Sequence, residues 1–361
     1  MRTAFILAAV FAAITLVIPL VAAVSSNINI ETGRPEDFKN SSSLPQLSLR
    51  EEVVPPFLSE NLPNIGALRE LTVQGKESFK ILNTSTGKID EVSAADYVRG
   101  ALASEMPASF HSQALAAQAV AAHTWALYCA QRQQESADES LKGADFSANP
   151  YHREGYITKE QFYESYGDAA DMYWPKICDA ADYALEYVLV YEEEPALTVY
   201  HSTSAGITEA SDNVWLQSMP YLVPVESEGD LLAPNFNVTE EFEQDTLKKM
   251  LLKAFPNAML NDSNPDEWLE ETKRSESGYI TDMLVGGVPA HGQEVRNALG
   301  LRSSCFRYSR SGKTFTFETS GYGHGVGMSQ YGADFKARQG ANCVEILAHY
   351  YPETVIAKVT Y

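Results

Sequence analysis

Three short segments of this sequence carry residue types and spacings that suit chemistry. The first is Ala103-Ser104-Glu105-Met106-Pro107. Pro107 disfavours helical geometry at Met106, so Glu105 falls in the last turn of a helix. A carboxylate there faces the negative end of the helix dipole, and apolar neighbours withdraw water from it. Both effects raise a carboxyl pKa, which suits a general acid working near neutral pH. The second segment runs from Tyr200 through His201, Ser202, Thr203, Ser204, Ala205, Gly206, Ile207 and Thr208 to Glu209, with Trp215 shortly after. Ser202, Ser204 and Thr208 offer hydroxyls to a hydroxylated ligand, and Tyr200 and Trp215 offer rings for it to stack on. The third has glycine at alternate positions, Gly321-Tyr322-Gly323-His324-Gly325-Val326-Gly327, followed by Met328, Ser329 and Gln330. In a strand this pattern bares one face, to which a ligand or another backbone can come close. Taken singly, each segment has a plain structural alternative: a surface Glu at a helix end, a Ser/Thr turn, and a tight loop holding His324.

Other chemistries find less support. The glycine segment lacks the GK[ST] of a phosphate loop. Tyr331 stands where a GxSxG nucleophile elbow needs glycine. The seven histidines form no HExxH pair, and the four cysteines are far apart with no CxxC. Free thiols and one or two disulfides are both compatible with that count. A second carboxylate for an ordinary two-carboxylate hydrolase is available in Glu209 or Asp212.

The elements that must position these groups can be read locally. Phe79–Leu82 and Lys88–Val92 read as two strands around the turn at residues 84–87. Ser93 is a good N-cap for a helix over Ala94–Glu105, with Tyr97, Val98, Ala101 and Leu102 at helical spacing. A second helix spans about Ser112 to Arg132 and is so rich in alanine that another backbone should pack close against it. Residues 168–188 give mixed helix and loop signals, and 186–201 read as two strands around a charged Pro turn. An acidic helical insertion is expected at about 226–280, and Thr314–Gly321 is the clearest strand. The fold class is therefore α+β, with mixed helices and antiparallel strands forming a substrate cleft. The two helices would make one wall, and the loops at 200–215 and 321–332 the other.

With 361 residues, 45% apolar and 21% charged, the composition is globular. The 48 acidic residues against 27 basic ones give a net charge of −21. That excludes a general nucleic-acid binder, which needs Lys and Arg to neutralise phosphates. From Thr3 to Val24 no residue is charged, and a run of about 20 apolar residues is enough to span a bilayer. Residues 1–24 are thus expected to be a retained membrane anchor, although Val21-Ala22-Ala23 also resembles a signal cleavage site. Arg2 would hold the amino end inside, leaving the remainder outside the cytoplasm. Residues 25–75, rich in Ser, Asn, Pro and charge, read as a flexible stalk, with the catalytic region at 76–361.

In order along the chain, YVRGALASEMPASFHSQALAAQAVAAHTWAL, HSTSAGITEASDNVW and GYGHGVGMSQYGA resemble the stage II sporulation protein D family over residues 75–360. The family comprises lytic transglycosylases of endospore-forming bacteria, related to a modifier of an amidase. The resemblance implies cleavage of peptidoglycan glycan strands, stripped of stem peptides, between N-acetylmuramic acid and N-acetylglucosamine during forespore engulfment at the septum. It makes Glu105 the catalytic acid. It implies work beside stage II sporulation proteins P and M, in the mother-cell membrane facing the forespore, with no cofactor. Where the family commonly has AVAARTYA this chain has Ala119-Val120-Ala121-Ala122-His123-Thr124-Trp125-Ala126, so His123 replaces a cleft Arg. Ala205-Gly206 replaces a common Gly-Gly. Some members carry a Cys/His zinc cluster after this helix; here residues 142–155 hold only His152, so no zinc is expected. The substrate-binding set is thus His123, Tyr200, Ser202, Ser204, Thr208, Trp215, Tyr322, His324, Met328, Ser329 and Gln330. A non-catalytic amidase activator or glycan-binding scaffold is the alternative to a lyase.

Overall fold

The computed structural model describes residues 71–215 and 218–361. The expected anchor (1–24) and nearly all of the stalk lie outside these. Among the described residues no helix is long and apolar enough to cross a membrane. The fold is mixed α+β, and the chain divides into two compact units, one ending at Thr198 and completed by Thr354–Tyr361, the other Val199–Glu353.

The first unit is built on two helices, α1 (Ala94–Glu105) and α2 (Ser112–Glu135). Ser93 caps α1 by accepting from the Asp96 amide. Met106 turns extended, at φ −128° and ψ 136°, and ends the helix at the residue Pro107 dictates. The alanines of α2 are buried around most of its circumference, because α1, α4 (Ala170–Glu186) and the strand Tyr187–Tyr191 all pack on it. Small side chains let these backbones approach. On α1, Gly100 performs the same service for residue 157: a Cβ there would lie 2.3 Å from the Ile157 carbonyl oxygen. A shorter helix, α3 (Lys159–Tyr166), completes the set.

Two sheets flank these helices. One orders Ile89–Ser93, Ser78–Asn83 and Phe146–Ala148; the other orders Thr72–Gln74, Val355–Thr360, Tyr187–Tyr191 and Glu194–Pro195. The first strand among the described residues, Thr72–Gln74, therefore falls inside the expected stalk. Its partner strand is at the other end of the chain, with Thr72 opposite Lys358 in parallel register, so no local pattern announces it. The segment 168–188 resolves into the continuous helix α4, which contains Pro175. Its buried Ile177, Ala180, Ala181 and Ala184 keep one apolar face despite the proline.

The second unit has its own core. Two three-stranded antiparallel sheets, Val288–His291 with Ile280–Val285 and Leu269–Arg274, and Phe306–Ser311 with Thr314–Ser320 and Asn237–Glu243, share it with α5 (Gln244–Ala254) and α6 (Gly292–Leu299). Leu247, Leu251, Trp268, Met283, Val295, Phe306 and Phe317 fill it, and Trp268 stacks on Phe315 with ring centroids 5.6 Å apart. Helices α7 (Gln330–Arg338) and α8 (Cys343–Tyr350) follow the glycine segment. The stretch expected to be an acidic helical region holds one α-helix of that kind, α5, between strands. Asn237–Glu243 alternates exposed and half-buried positions along an edge strand. Charged residues on both of its faces hide the period of two in the sequence.

Not all pairing is antiparallel. Besides the strand at Thr72, Ser78–Asn83 pairs in parallel with Phe146–Ala148, and Tyr200–His201 with Met328–Ser329. All four cysteines are free thiols.

Candidate active site

Glu105 is half-buried at the end of α1, among the buried Leu102, Ala103 and Met106. Its carboxyl makes no hydrogen bond or ion pair with another described residue. Loss of hydration therefore acts on it uncompensated and raises its pKa to about 8. The helix-end position that the sequence assigns to Glu105 thus holds, with desolvation as the cause of the shift. A carboxyl of this kind is mostly protonated at neutral pH and can donate its proton.

His123 does not line a wall of a cleft. Its ring is fully buried in α2, and Nδ1 lies 2.7 Å from the carbonyl oxygen of Ala184 on α4. That contact requires the proton on Nδ1 and leaves Nε2 a buried acceptor without a partner among the described residues. Desolvation lowers its pKa to about 4. The ring ties α2 to α4 and is not presented to substrate. Nothing in the local sequence distinguishes such a core histidine from a cleft histidine, since both follow the same helical spacing.

In the second unit the structure brings the two predicted loops together. Tyr200–His201 pairs with Met328–Ser329, Thr203 bridges to Tyr322, and Glu209 to Val326. The alternate glycines are not on a strand face. All four have positive φ, and a Cβ at Gly321 or Gly327 would come within 2.8 Å or 2.1 Å of carbonyl oxygens of the 199–204 segment. It is the neighbouring backbone, rather than a ligand, that these glycines admit.

That packing separates the candidate residues into two sets. Tyr200, Ser202, Trp215 and His324 are half-buried, with the Trp215 and His324 rings 5.1 Å apart. Ser204, Thr208, Tyr322, Met328, Ser329 and Gln330 are buried. Thr208 Oγ1 donates to the Val223 carbonyl oxygen and accepts from the Val225 amide. The hydroxyls of Ser204 and Ser329 both donate to the carboxylate of Asp230, which is fully buried. These serines hold the loops in place and do not face a ligand. Asp230 escapes a reading of the sequence because it lies in an unremarkable acidic stretch, 26 residues from Ser204 and 99 from Ser329.

Glu209 is equally committed. Its Oε1 accepts from the Ala210 amide and Asn213 Nδ2, and its Oε2 from Ser275 Oγ. It is 1% exposed, which leaves it unsuited to activating water. Asp212 is exposed.

His201 is the second buried neutral imidazole: Nδ1 donates to the Val326 carbonyl oxygen at 3.1 Å, and desolvation lowers its pKa to about 4. For both histidines the unfolded chain binds protons near pH 6.5 and the folded chain only near pH 4. Stability is thus fully present above pH 6.5 and is lost as pH falls toward 4. Each contributes up to about 3 kcal/mol across that window. Glu105 runs the opposite way between pH 4.5 and 8, but it is half-exposed and its effect is correspondingly screened. The expected result is a melting temperature that falls from pH 6.5 to 4, with a visibly shallower fall in His123→Gln and in His201→Gln. An unchanged pH dependence in both variants would refute the neutral buried assignment.

The chain thus has a helix-end carboxyl before Met-Pro, unpaired among the described residues, and a glycine-laced loop clamped to a Ser/Thr-rich segment. The family described as stage II sporulation protein matches residues 82–191, which include Glu105 and His123. Over 274 residues the chain is 32% identical to stage II sporulation protein D of Bacillus amyloliquefaciens, covering 76% of this chain and 77% of that protein. It is 31% identical over 281 residues to stage II sporulation protein D of Bacillus subtilis (strain 168), covering 78% and 79%. A protein of the same Bacillus subtilis strain named amidase enhancer is 24% identical over 311 residues, covering 72% of this chain and 40% of its own length. The chain belongs to the stage II sporulation protein D family, a family of sporulation proteins.

Proposed function

We propose that this protein is a peptidoglycan lytic transglycosylase that cleaves denuded glycan strands between N-acetylmuramic acid and N-acetylglucosamine during forespore engulfment. The observation that carries this reading is Glu105: one unpaired carboxyl, protonated at neutral pH, with its pKa raised to about 8 by desolvation. In the first step Glu105 gives its proton to the glycosidic oxygen as the C1–O bond breaks. In the second, the muramyl 6-hydroxyl closes on C1 and returns its proton to the carboxylate. No water is consumed and no second carboxylate is needed, in contrast to ordinary glycosidases. Glu209, with both oxygens held by protein donors, does not offer itself for the hydrolytic alternative. Half-buried Tyr200, Ser202, Trp215 and His324 are suited to sugar contact, the rings by stacking and the hydroxyl by hydrogen bonding.

Residues 1–24 would anchor the protein in the mother-cell membrane with the catalytic region outside the cytoplasm. Its partners would be stage II sporulation proteins P and M, as the sequence resemblance implies. The second reading, a non-catalytic amidase activator, is favoured by the relative named amidase enhancer. Purified protein incubated with denuded glycan decides between them by mass spectrometry. The expected product is a 1,6-anhydromuramyl end, one water lighter than the hydrolysis product. A free reducing end would make the protein a hydrolase, and intact strands would leave the activator reading.

A further inference from the structure

Among the described residues Arg302 is a cation without an anion. It lies just beyond Gly300, the left-handed residue that ends α6. Its guanidinium sits 4.0 Å above the centre of the Tyr322 ring, within the range of a cation–π contact. Its backbone carbonyl accepts from Gly323 N and Arg296 Nε, which fixes the main chain beside the glycine segment. Among the described residues the guanidinium forms no hydrogen bond or ion pair, and Nε is shielded from solvent without a partner. Among the described residues five other arginines are paired with carboxylates: Arg99 with Asp182, Arg132 with Glu135, Arg274 with Glu271, Arg310 with Asp266 and Arg338 with Asp334.

Aromatic and polar residues surround it. Tyr322 forms the floor. Tyr331 is close enough for the charge of Arg302 to act on its phenol. The Tyr331 amide donates to the Ser202 carbonyl oxygen at 3.1 Å, bringing Ser202 to the same loop junction. Asp334, the acidic group acting on Tyr331, is paired with Arg338 at 2.7 Å. A half-exposed planar cation, held over the Tyr322 ring with the Tyr331 phenol within electrostatic reach, presents the fork geometry that binds a carboxylate through two parallel hydrogen bonds.

We propose that Arg302 binds the lactyl carboxylate of N-acetylmuramic acid. This inference rests on the glycan-cleaving reading above and adds a reason for its preference for stripped strands. In a strand bearing stem peptides the lactyl group is an amide and carries no charge. Removing the peptide frees the carboxylate, which then meets Arg302 over the Tyr322 floor. The same contact accounts for how a chain with net charge −21 holds an acidic polymer: one unneutralised cation stands where the polymer has its charge. The alternative source of a carboxylate, the end of a stem peptide, is separated by the test.

Full-length protein carrying Glu105→Gln, so that strands are held and not cut, is titrated with three probes. These are denuded glycan, the same glycan with its lactyl carboxyls converted to amides, and glycan bearing intact stem peptides. Denuded glycan is expected to bind about 10- to 100-fold more tightly than the amide form, the range of a charge-assisted hydrogen bond. Adding Arg302→Gln is expected to abolish that preference while leaving affinity for the amide form unchanged, which also shows that the variant is folded. Arg302→Lys restores part of it, since the charge returns without the fork. An unchanged preference in Arg302→Gln, equal binding of denuded and amide glycan, or tightest binding to peptide-bearing glycan would each overturn the assignment. If cleavage by the unsubstituted protein persists in those cases, the proposed function stands and only the Arg302 role falls. If no glycan is bound and none is cut, both fall.

Discussion

Glu105→Gln is expected to lower glycan cleavage by about 10²- to 10⁴-fold, the range for a lost general acid–base group. Gln fills the same space but has no proton to give to the glycosidic oxygen. The pH dependence of the unsubstituted protein carries the same information. A general acid with a pKa of about 8 is active below that value, so turnover should be level through neutrality and fall about tenfold per unit above pH 8. An ordinary glutamate would already be lost as an acid above pH 4.5. The stability effect has the opposite sign to the catalytic one. Between pH 4.5 and 8 the unfolded chain has released this proton and the folded chain keeps it, so Glu105 lowers stability as pH rises. Removing the charge should therefore raise the melting temperature at pH 8 and above. The gain should be on the order of 1 kcal/mol after allowance for the exposure of the group, or a few degrees, and should vanish near pH 4. A variant that is both inactive and more stable at high pH marks a group kept for chemistry at the expense of the fold. Full activity in Glu105→Gln would remove the catalytic assignment and favour the activator reading.

How much of this was legible in the sequence depends on the range of the interaction involved. The ends of α1 are set by Ser93 and Pro107, each acting within a few residues, and the structure places them where the sequence does. The alanine content of α2 similarly announces close neighbours. The role of His123 turns on Ala184, 61 residues away, and helical spacing carries no information about that carbonyl. The strand at Thr72 depends on a partner at the far end of the chain. The glycine segment was legible as a place of close approach, but not as to what approaches. The missing Cβ of Gly321 and Gly327 lets the 199–204 backbone in, and that of Gly325 lets in the Tyr279 ring, and Ser204 and Ser329 become the fastening instead of the binding surface. The charge of Arg302 is plain in the sequence, but its lack of an anionic partner is a property of the fold.

That fastening gives the largest expected effect on stability, at Asp230. Its Oδ2 accepts from the Ser204 amide at 2.8 Å and from Ser204 Oγ at 2.5 Å, and its Oδ1 accepts from Ser329 Oγ at 2.6 Å. Ser329 in turn caps α7 by accepting from the Gly332 amide. One buried carboxylate thus pins the Ser/Thr-rich loop and the start of α7 at once. Desolvation pushes the pKa of Asp230 up, and the hydrogen bonds it receives oppose that rise. Asp230→Ala removes every acceptor oxygen and strands a backbone N–H and two hydroxyls in a dry interior. Each unsatisfied donor costs about 1–3 kcal/mol. The hydroxyls can turn to other acceptors and the amide cannot, so a total of about 3–5 kcal/mol is expected, or roughly 10 °C in melting temperature. Asp230→Asn should cost less: its remaining oxygen can still serve Ser204, and its amide can donate to a rotated Ser329 hydroxyl. Hydrogen exchange separates this pin from simple loss of packing. In Asp230→Ala, protection should drop together at the Ser204 and Gly332 amides, although these lie in segments far apart in sequence. A loss of less than 1 kcal/mol, or faster exchange at only one of the two amides, would show that the loops are held independently of Asp230.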